Sequence, residues 1–154
     1  MATEGIFNFI QVSDRIGTSG QPTREQLEAA RDEGYQAVIN LAPSDAENFA
    51  LAGEERVVTD LGLNYHHIPV AWTDPRPEQF AAFCAAMQQV GDRKVLIHCA
   101  ANYRVTAFFS SYAIRHLGWT TEQADALVAR IWNSNPRYAM DDTWRRYIAA
   151  IRTP

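Results

Sequence analysis

Short, mostly apolar runs alternate with amphipathic segments along the chain. Each run is bounded by turn-forming or charged residues, which is typical of buried strands. The clearest run ends at His98 and follows the charged turn Gly91-Asp92-Arg93-Lys94. Pro69 limits the far end of another, because proline cannot donate a ladder hydrogen bond. The pattern predicts strands at residues 7–12, 15–19, 37–41, 65–70 and 95–98.

Between these runs, apolar residues recur at the spacing of one helix face. Capping-box patterns begin at Thr23 and Thr120, each with a glutamine three positions later. Ser44 with Glu47 suggests another cap, and Pro77 suits a first helical turn. The predicted helices run from Thr23 to about Gly34, from Ser44 to about Leu61, from Pro77 to Val90, from about Arg104 to Gly118, from Thr120 through Ile131, and over about residues 141–151.

Alternating strands and helices predict an α/β fold. We expect a single three-layer α/β/α domain over residues 1–154, with a mostly parallel central sheet of four to five strands. In such sheets, ligands bind outside the carboxyl ends of the strands. The loop after His98 and the loop that contains Asp74 both follow strands in this way. These two loops are therefore the first places to look for chemistry.

Composition narrows the classes of function. A hydrophobic content of 47% in 154 residues suits one folded domain, and a net charge of -4 argues against a nucleic-acid partner. The chain contains neither a bilayer-spanning apolar run nor a signal-peptide pattern at its start, so we expect a cytoplasmic protein without membrane contacts. Two cysteines cannot build a disulfide framework or a paired-cysteine zinc site. A reactive role for one of them is the better interpretation, and the oligomeric state is open.

Cys99 is the main candidate for chemistry. It directly follows a predicted buried strand, and Arg104 stands five positions later, where a helical pattern begins. The free N–H groups of a helix start favour both an oxyanion and a thiolate, and arginine offers a planar fork to two oxygens. We therefore expect Cys99 to be largely ionised near neutral pH. The predicted anion-binding residues are Ala100, Ala101, Asn102, Tyr103 and Arg104.

Four further residues have expected roles in the loop or in the core. Asn102 is the candidate for a left-handed backbone in a loop without glycine, and Tyr103 for a wall of the pocket. His98 is expected to support the loop by hydrogen bonding rather than to transfer protons. Cys84 lies in an apolar helical stripe and is assigned to the core.

A general acid has two candidates. Asp74 follows the strand before the cysteine strand and could protonate a leaving oxygen, although a helix cap ahead of Pro75 explains it nearly as well. Asp45 is the second choice. The pair His66-His67 has no carboxylates at metal-ligand spacing, so we expect neither a metal nor another cofactor.

Four motifs together resemble a known family. These are Thr18-Ser19-Gly20-Gln21-Pro22-Thr23, Val38-Ile39-Asn40-Leu41, His67-Ile68-Pro69-Val70, and His98-Cys99 with Arg104. The chain resembles the bacterial phosphatase-like family (DUF442-type) related to atypical dual-specificity and tyrosine protein phosphatases. The resemblance implies a cysteine-phosphatase fold and metal-free hydrolysis of a phosphorylated protein or small molecule. It also implies Cys99 as nucleophile, Arg104 as phosphate clamp and an aspartate as general acid.

The cysteine loop departs from most cysteine phosphatases. It is one residue shorter, and Val105 stands where they have a hydroxyl residue, with Thr106 one position further on. A short loop also resembles that of rhodanese-type sulfurtransferases, in which the cysteine carries a persulfide. A module that binds a phosphorylated partner without turnover is a third alternative.

Overall fold

The computed structural model describes residues 2–43 and 50–154, and these form an α/β fold. The strands are β1 (Ile10–Ser13), β2 (Ile16–Ser19), β3 (Ala37–Asn40), β4 (Asn64–His67) and β5 (Val95–His98). The helices are α1 (Arg24–Asp32), α2 (Glu54–Asp60), α3 (Pro77–Val90), α4 (Tyr103–His116), α5 (Thr121–Trp132) and α6 (Asp142–Arg152). Short 3-10 helices lie at Ala2–Gly5 and Pro136–Tyr138. No described helix is long and apolar enough to cross a membrane.

The five strands form one mostly parallel sheet in the order β1-β2-β5-β3-β4. Only the edge pair β1 and β2 is antiparallel, as expected for strands joined by a tight turn. β5 is the middle strand and pairs in parallel with β2 on one side and β3 on the other. The carboxyl end of β5, and therefore Cys99, lies at the centre of the sheet edge.

Alternate residues of the central strands enter two separate cores. Val38 and Leu96 pack with α1 and α2, whereas Ile39 and Ile97 pack with helices on the opposite face. Because a parallel strand is covered on both faces, its side chains are apolar in both directions. This arrangement confirms the three-layer α/β/α prediction.

The helix starts follow the predicted capping signals. The Thr23 and Thr120 side chains accept hydrogen bonds from the backbone of the glutamine three positions later, and each glutamine side chain bonds back. Pro77 is the first residue of α3. The predicted boundaries of these helices therefore need little revision.

Three predicted elements differ from the observed ones. β1 begins at Ile10 rather than at residue 7, because Asn8 has a left-handed backbone with φ 54° that interrupts an extended chain. α2 begins at Glu54, directly after Gly53 with φ 69°, so it is shorter than predicted. The proposed cap at Ser44 and Glu47 lies outside the described residues. β4 ends at His67, before Pro69.

Candidate active site

Cys99 lies in the loop between the central strand β5 and α4. It is only 1% exposed, and its backbone N–H donates to the Ser19 carbonyl oxygen at 3.3 Å. The loop ends at Tyr103, where α4 begins, so the unpaired first N–H groups of this helix lie beside the cysteine segment. A thiol at this position meets the positive end of a helix dipole.

Arg104 brings a buried cation to the same loop. It is 9% exposed, and neither its Nε nor its Nη1 has a hydrogen-bond partner within the described residues. Its guanidinium carbon lies 5.8 Å from the ring centroid of Trp72, a cation–π contact that uses none of the N–H donors. Because unpaired buried donors are costly, these N–H groups are suited to a bound anion.

Asn102 and Asn8 fasten the loop to the segment before β1. Asn102 has φ 72°, which confirms the prediction of a left-handed asparagine in this glycine-free loop. Its Nδ2 donates to the Asn8 carbonyl at 2.8 Å and to Thr18 Oγ1 at 3.1 Å. The Asn8 Nδ2 donates in return to the Ala101 carbonyl at 2.9 Å. Asn8 is a loop-supporting residue that the sequence analysis missed.

The segment after β2 holds the other side of the loop. Gly20 forms an isolated antiparallel bridge with Ala101, and the Gln21 N–H donates to the Ala100 carbonyl at 3.0 Å. A Cβ atom on Gly20 would lie 2.6 Å from the Ala100 oxygen, so only glycine fits without displacing the loop. The Ser19-Gly20-Gln21 segment therefore contacts the cysteine loop directly.

Aromatic side chains surround Tyr103 and Arg104. Tyr103 is buried, and its carbonyl accepts a hydrogen bond from Trp132 Nε1 at 3.0 Å. Trp72 stacks on Trp132 with ring centroids 5.4 Å apart and meets Tyr103 edge to face at 6.0 Å. The predicted wall residue Tyr103 is thus part of a packed aromatic cluster that also fixes Trp72 against Arg104.

Asp74 lies in the loop that carries Trp72. Its side chain is 69% exposed and stands 3.6 Å from Arg76, and its contacts among the described residues do not include the Cys99 loop. Asp74 is not the cap of α3, since Arg76 occupies that position, so the alternative interpretation as a helix cap is wrong. Asp45, the second candidate for the acid, lies outside the described residues.

A family model described as "DSP-PTPase phosphatase fused to NAD+ Kinase" matches residues 11–148 of the chain. The chain belongs to this family of phosphatases. A protein described as a DUF442 phosphatase, from Shewanella putrefaciens CN-32, is 30% identical, with a TM-score of 0.85 over 97% of this chain and 94% of that one. The predicted resemblance to DUF442-type phosphatases is therefore confirmed.

More distant comparisons agree on the fold. The structure of Tk-PTP in its active form has a TM-score of 0.73, with 20% identity over 94% of this chain and 96% of that one. Two curated relatives from Xylella fastidiosa, both called beta-lactamase hydrolase-like protein, are 28% identical over 104 residues, or 66% of this chain. The phosphatase-family chain spans only 24% of the length of those relatives. The Tk-PTP comparison therefore supports the fold, and the family match supports membership in a phosphatase family.

The Thr106 hydroxyl, two positions after Arg104, forms its hydrogen bonds within α4. Thr106 Oγ1 donates to the carbonyls of Asn102 and Tyr103, at 3.0 and 3.1 Å. Val105, which directly follows Arg104, is fully buried in the core. Within the described residues, no side chain donates a hydrogen bond to the Cys99 sulfur.

A buried hydrogen bond between His98 and Glu54 supports the cysteine loop. His98 Nε2 lies 2.7 Å from Glu54 Oε2, and Gln21 Nε2 donates to Glu54 Oε1 at 2.7 Å. Burial alone would raise the pKa of Glu54, but the hydrogen bond and charge of His98, and then the Gln21 hydrogen bond, outweigh it and lower the pKa. The prediction that His98 supports the loop through hydrogen bonds is confirmed. Glu54 had no signal in the sequence, because its partner is 44 positions away.

The remaining candidates lie away from the loop. Cys84 is half-buried on α3 against the core, and burial raises the pKa of its thiol. His67 Nε2 lies 2.7 Å from the Ala42 carbonyl. No group of three or more histidine, cysteine or acidic residues suited to a metal occurs within the described residues.

Proposed function

We propose that this chain hydrolyses phosphate monoesters through a phosphocysteine, as a phosphatase of the dual-specificity or tyrosine type. The observation that carries the proposal is the buried Arg104 guanidinium. Its Nε and Nη1 have no hydrogen-bond partner within the described residues, and it follows the loop that holds the buried Cys99. Membership in a phosphatase family supports the same chemistry. The proposed substrate is a phosphorylated protein or small molecule, and residues 1–154 are proposed to act as one phosphatase unit.

In the first step, the Cys99 thiolate attacks phosphorus in line, so an S–P bond forms as the P–O bond to the leaving group breaks. The N–H groups of residues 100–104 and the Arg104 fork hold the phosphoryl oxygens. Water then attacks the phosphocysteine, which releases inorganic phosphate and restores the thiolate. No redox partner is needed.

Asp74 is the proposed general acid for the first step and the general base for the second. Its ion pair with Arg76 is exposed, and exposed pairs contribute little, so the carboxyl group is free to turn towards a substrate. The loop itself is anchored, because the Trp72 carbonyl accepts a hydrogen bond from Trp144 Nε1 at 2.8 Å. Asp74 follows Trp72 by two positions, so at most about 7 Å of chain joins their Cα atoms, and the proposed role requires the exposed carboxyl group to turn towards Arg104.

An aryl phosphate assay tests these assignments. We expect Cys99→Ser to abolish hydrolysis and Asp74→Asn to slow it by about 10²–10⁴-fold. Asp92→Asn is the matched control, because Asp92 is exposed in the turn before β5, at the other end of that strand. An unchanged rate for Asp74→Asn would remove it from the acid role, and full activity of Cys99→Ser would refute the cysteine mechanism.

A sulfurtransferase is the second candidate, because the loop is short. In addition, the Thr106 hydroxyl donates its hydrogen bonds to backbone carbonyls and not to the cysteine sulfur. In this reaction the Cys99 thiolate takes the sulfane sulfur of thiosulfate, releases sulfite and passes the sulfur from its persulfide to cyanide. Such a transfer needs no general acid, so Asp74→Asn would retain it. A mass increase of one sulfur atom on Cys99 after thiosulfate treatment supports this candidate, and its absence counts against it.

Calorimetry with inorganic phosphate separates both enzymes from a binding module. Phosphate binding by the intact chain without turnover of aryl phosphate or thiosulfate would favour binding alone.

A further inference from the structure

The two ring nitrogens of His98 both face hydrogen-bond acceptors. Nδ1 lies 3.2 Å from the Cys99 carbonyl oxygen, and Nε2 lies 2.7 Å from Glu54 Oε2. A neutral imidazole carries only one N–H, so it can serve only one of these acceptors. For both contacts to be hydrogen bonds, either His98 carries two protons, or His98 and Glu54 carry one each.

The surroundings of Glu54 favour a carboxylate. Its Oε1 already accepts from Gln21 Nε2 at 2.7 Å, and its Oε2 faces the imidazole, so both oxygens are arranged as acceptors. Burial opposes ionisation, but these hydrogen bonds outweigh it and lower the pKa of Glu54. The second proton therefore belongs on His98.

We infer that Glu54 is a positioning residue that holds His98 as an imidazolium directly beneath the cysteine loop. The carboxylate lies at Nε2 and the Cys99 backbone at Nδ1, so the positive part of the pair faces the loop and the negative part faces away from it. This inference rests on the proposed function only for its effect on catalysis, since the charge state of His98 can be measured without turnover.

The same carboxylate also reaches the loop by a second route. The side chain of Gln21 donates to Glu54, and the backbone N–H of Gln21 donates to the Ala100 carbonyl at 3.0 Å. Glu54 thus orients the residues on either side of the Cys99 carbonyl, through His98 and through Gln21. A rigid second layer of this kind is what a loop with several inward amides requires.

Few other charges face the pair within the described residues. Tyr65 lies beside Glu54, and its hydroxyl accepts a hydrogen bond from Asn40 at 3.1 Å. Burial and the nearby Glu54 charge raise the pKa of Tyr65 well above its ordinary value, so it remains a neutral phenol. Glu55 is exposed on the same helix and acts on Tyr65 only from a distance. His67 lines the same cavity as Glu54, with its Nε2 2.7 Å from the Ala42 carbonyl, and the Cys99 thiol belongs to the loop that follows His98.

Glu54→Gln is an isosteric test. The new amide nitrogen can donate to Nε2 of a neutral His98, while the amide oxygen keeps the hydrogen bond from Gln21. His98 can then hold its single proton on Nδ1 towards the Cys99 carbonyl. The substitution therefore preserves the hydrogen bonds and removes the Glu54 carboxylate together with the proposed charge on His98. Glu55→Gln, one residue further along α2, is the matched control for loss of an exposed carboxylate.

The primary measurement is the ¹⁵N NMR signature of the assigned His98 ring at pH 7 in the full chain. We expect two protonated nitrogens in the wild type and in Glu55→Gln, and one in Glu54→Gln. Glu54→Asp, which keeps the charge, should retain the imidazolium. A wild-type ring with one protonated nitrogen would overturn the inference, whether or not any variant folds, and so would an imidazolium in Glu54→Gln.

The second measurement is the rate of alkylation of Cys99 by iodoacetamide, followed by peptide mass with Cys84 as an internal reference. Loss of a nearby positive charge should slow alkylation of Cys99 about 10-fold in Glu54→Gln, without changing Cys84. Equal Cys99 rates in wild type and Glu54→Gln would overturn the link to the loop. If His98 is an imidazolium but the wild type hydrolyses no aryl phosphate, the proposed function fails while this inference stands.

Discussion

Replacement of Asn102 tests how the glycine-free loop holds its shape. Asn102→Ala removes two hydrogen bonds, to the Asn8 carbonyl and to Thr18 Oγ1. At about 1 kcal/mol each, their loss costs about 2 kcal/mol of the free energy of unfolding. Alanine at φ 72° adds about 1 kcal/mol of backbone strain. The expected total is about 3 kcal/mol, a large fraction of the stability of an ordinary domain.

Asn102→Gly separates the two contributions. Glycine loses the same hydrogen bonds but tolerates the left-handed backbone, so it should be more stable than the alanine variant by about 1 kcal/mol. Urea unfolding followed by far-ultraviolet circular dichroism measures both free energies. Asn133→Ala is the control, because Asn133 is exposed and has φ −96°, and its effect should stay within about 0.5 kcal/mol.

Two outcomes would refute this reasoning. Equal stability of the alanine and glycine variants would mean that the left-handed backbone carries no strain. An alanine variant as stable as the wild type would mean that the Asn102 amide does not fasten the loop to the segment before β1.

Two further predictions concern the support of the same loop. Gly20→Ala would place a Cβ 2.6 Å from the Ala100 oxygen, and we expect about 1–3 kcal/mol of destabilisation in thermal unfolding; an unchanged melting temperature would contradict the close approach. The lowered pKa of Glu54 means that its contribution to stability is present above its unfolded-state pKa and is lost as pH falls through its folded-state pKa. The free energy of unfolding of Glu54→Gln should therefore fall less steeply than that of the wild type as the pH drops from about 5 to 3. The same pH dependence in both proteins would argue against the coupled pair.

Much of the fold could be predicted because its signals are local. The capping boxes at Thr23 and Thr120 each involve residues three positions apart, and both are observed. The buried strand before Cys99 reflects a sheet covered on both faces, which requires a continuous apolar run. Asn102 was predictable for the same reason, since a loop without glycine leaves few residues able to adopt a positive φ.

The supports of the candidate site were not predictable, because they depend on contacts between distant parts of the chain. Asn8 and Asn102 are 94 positions apart, and nothing near Asn8 indicates that it bonds to the loop. A buried carboxylate such as Glu54 has the same sequence pattern as a solvated residue in a first helical turn. The start of α2 was misplaced because a capping pattern at Ser44 and Glu47 carries no information about the left-handed glycine at position 53.

The contact between Trp72 and Arg104 has a practical consequence. The indole lies 5.8 Å from the guanidinium and stacks on Trp132, so the chain carries its own fluorophore at the place where an oxyanion would settle. An anion bound in the loop would alter the electric field across the Trp72 indole and hence its fluorescence emission. Ligands could then be ranked by titration and by stopped-flow mixing with no label attached to the protein.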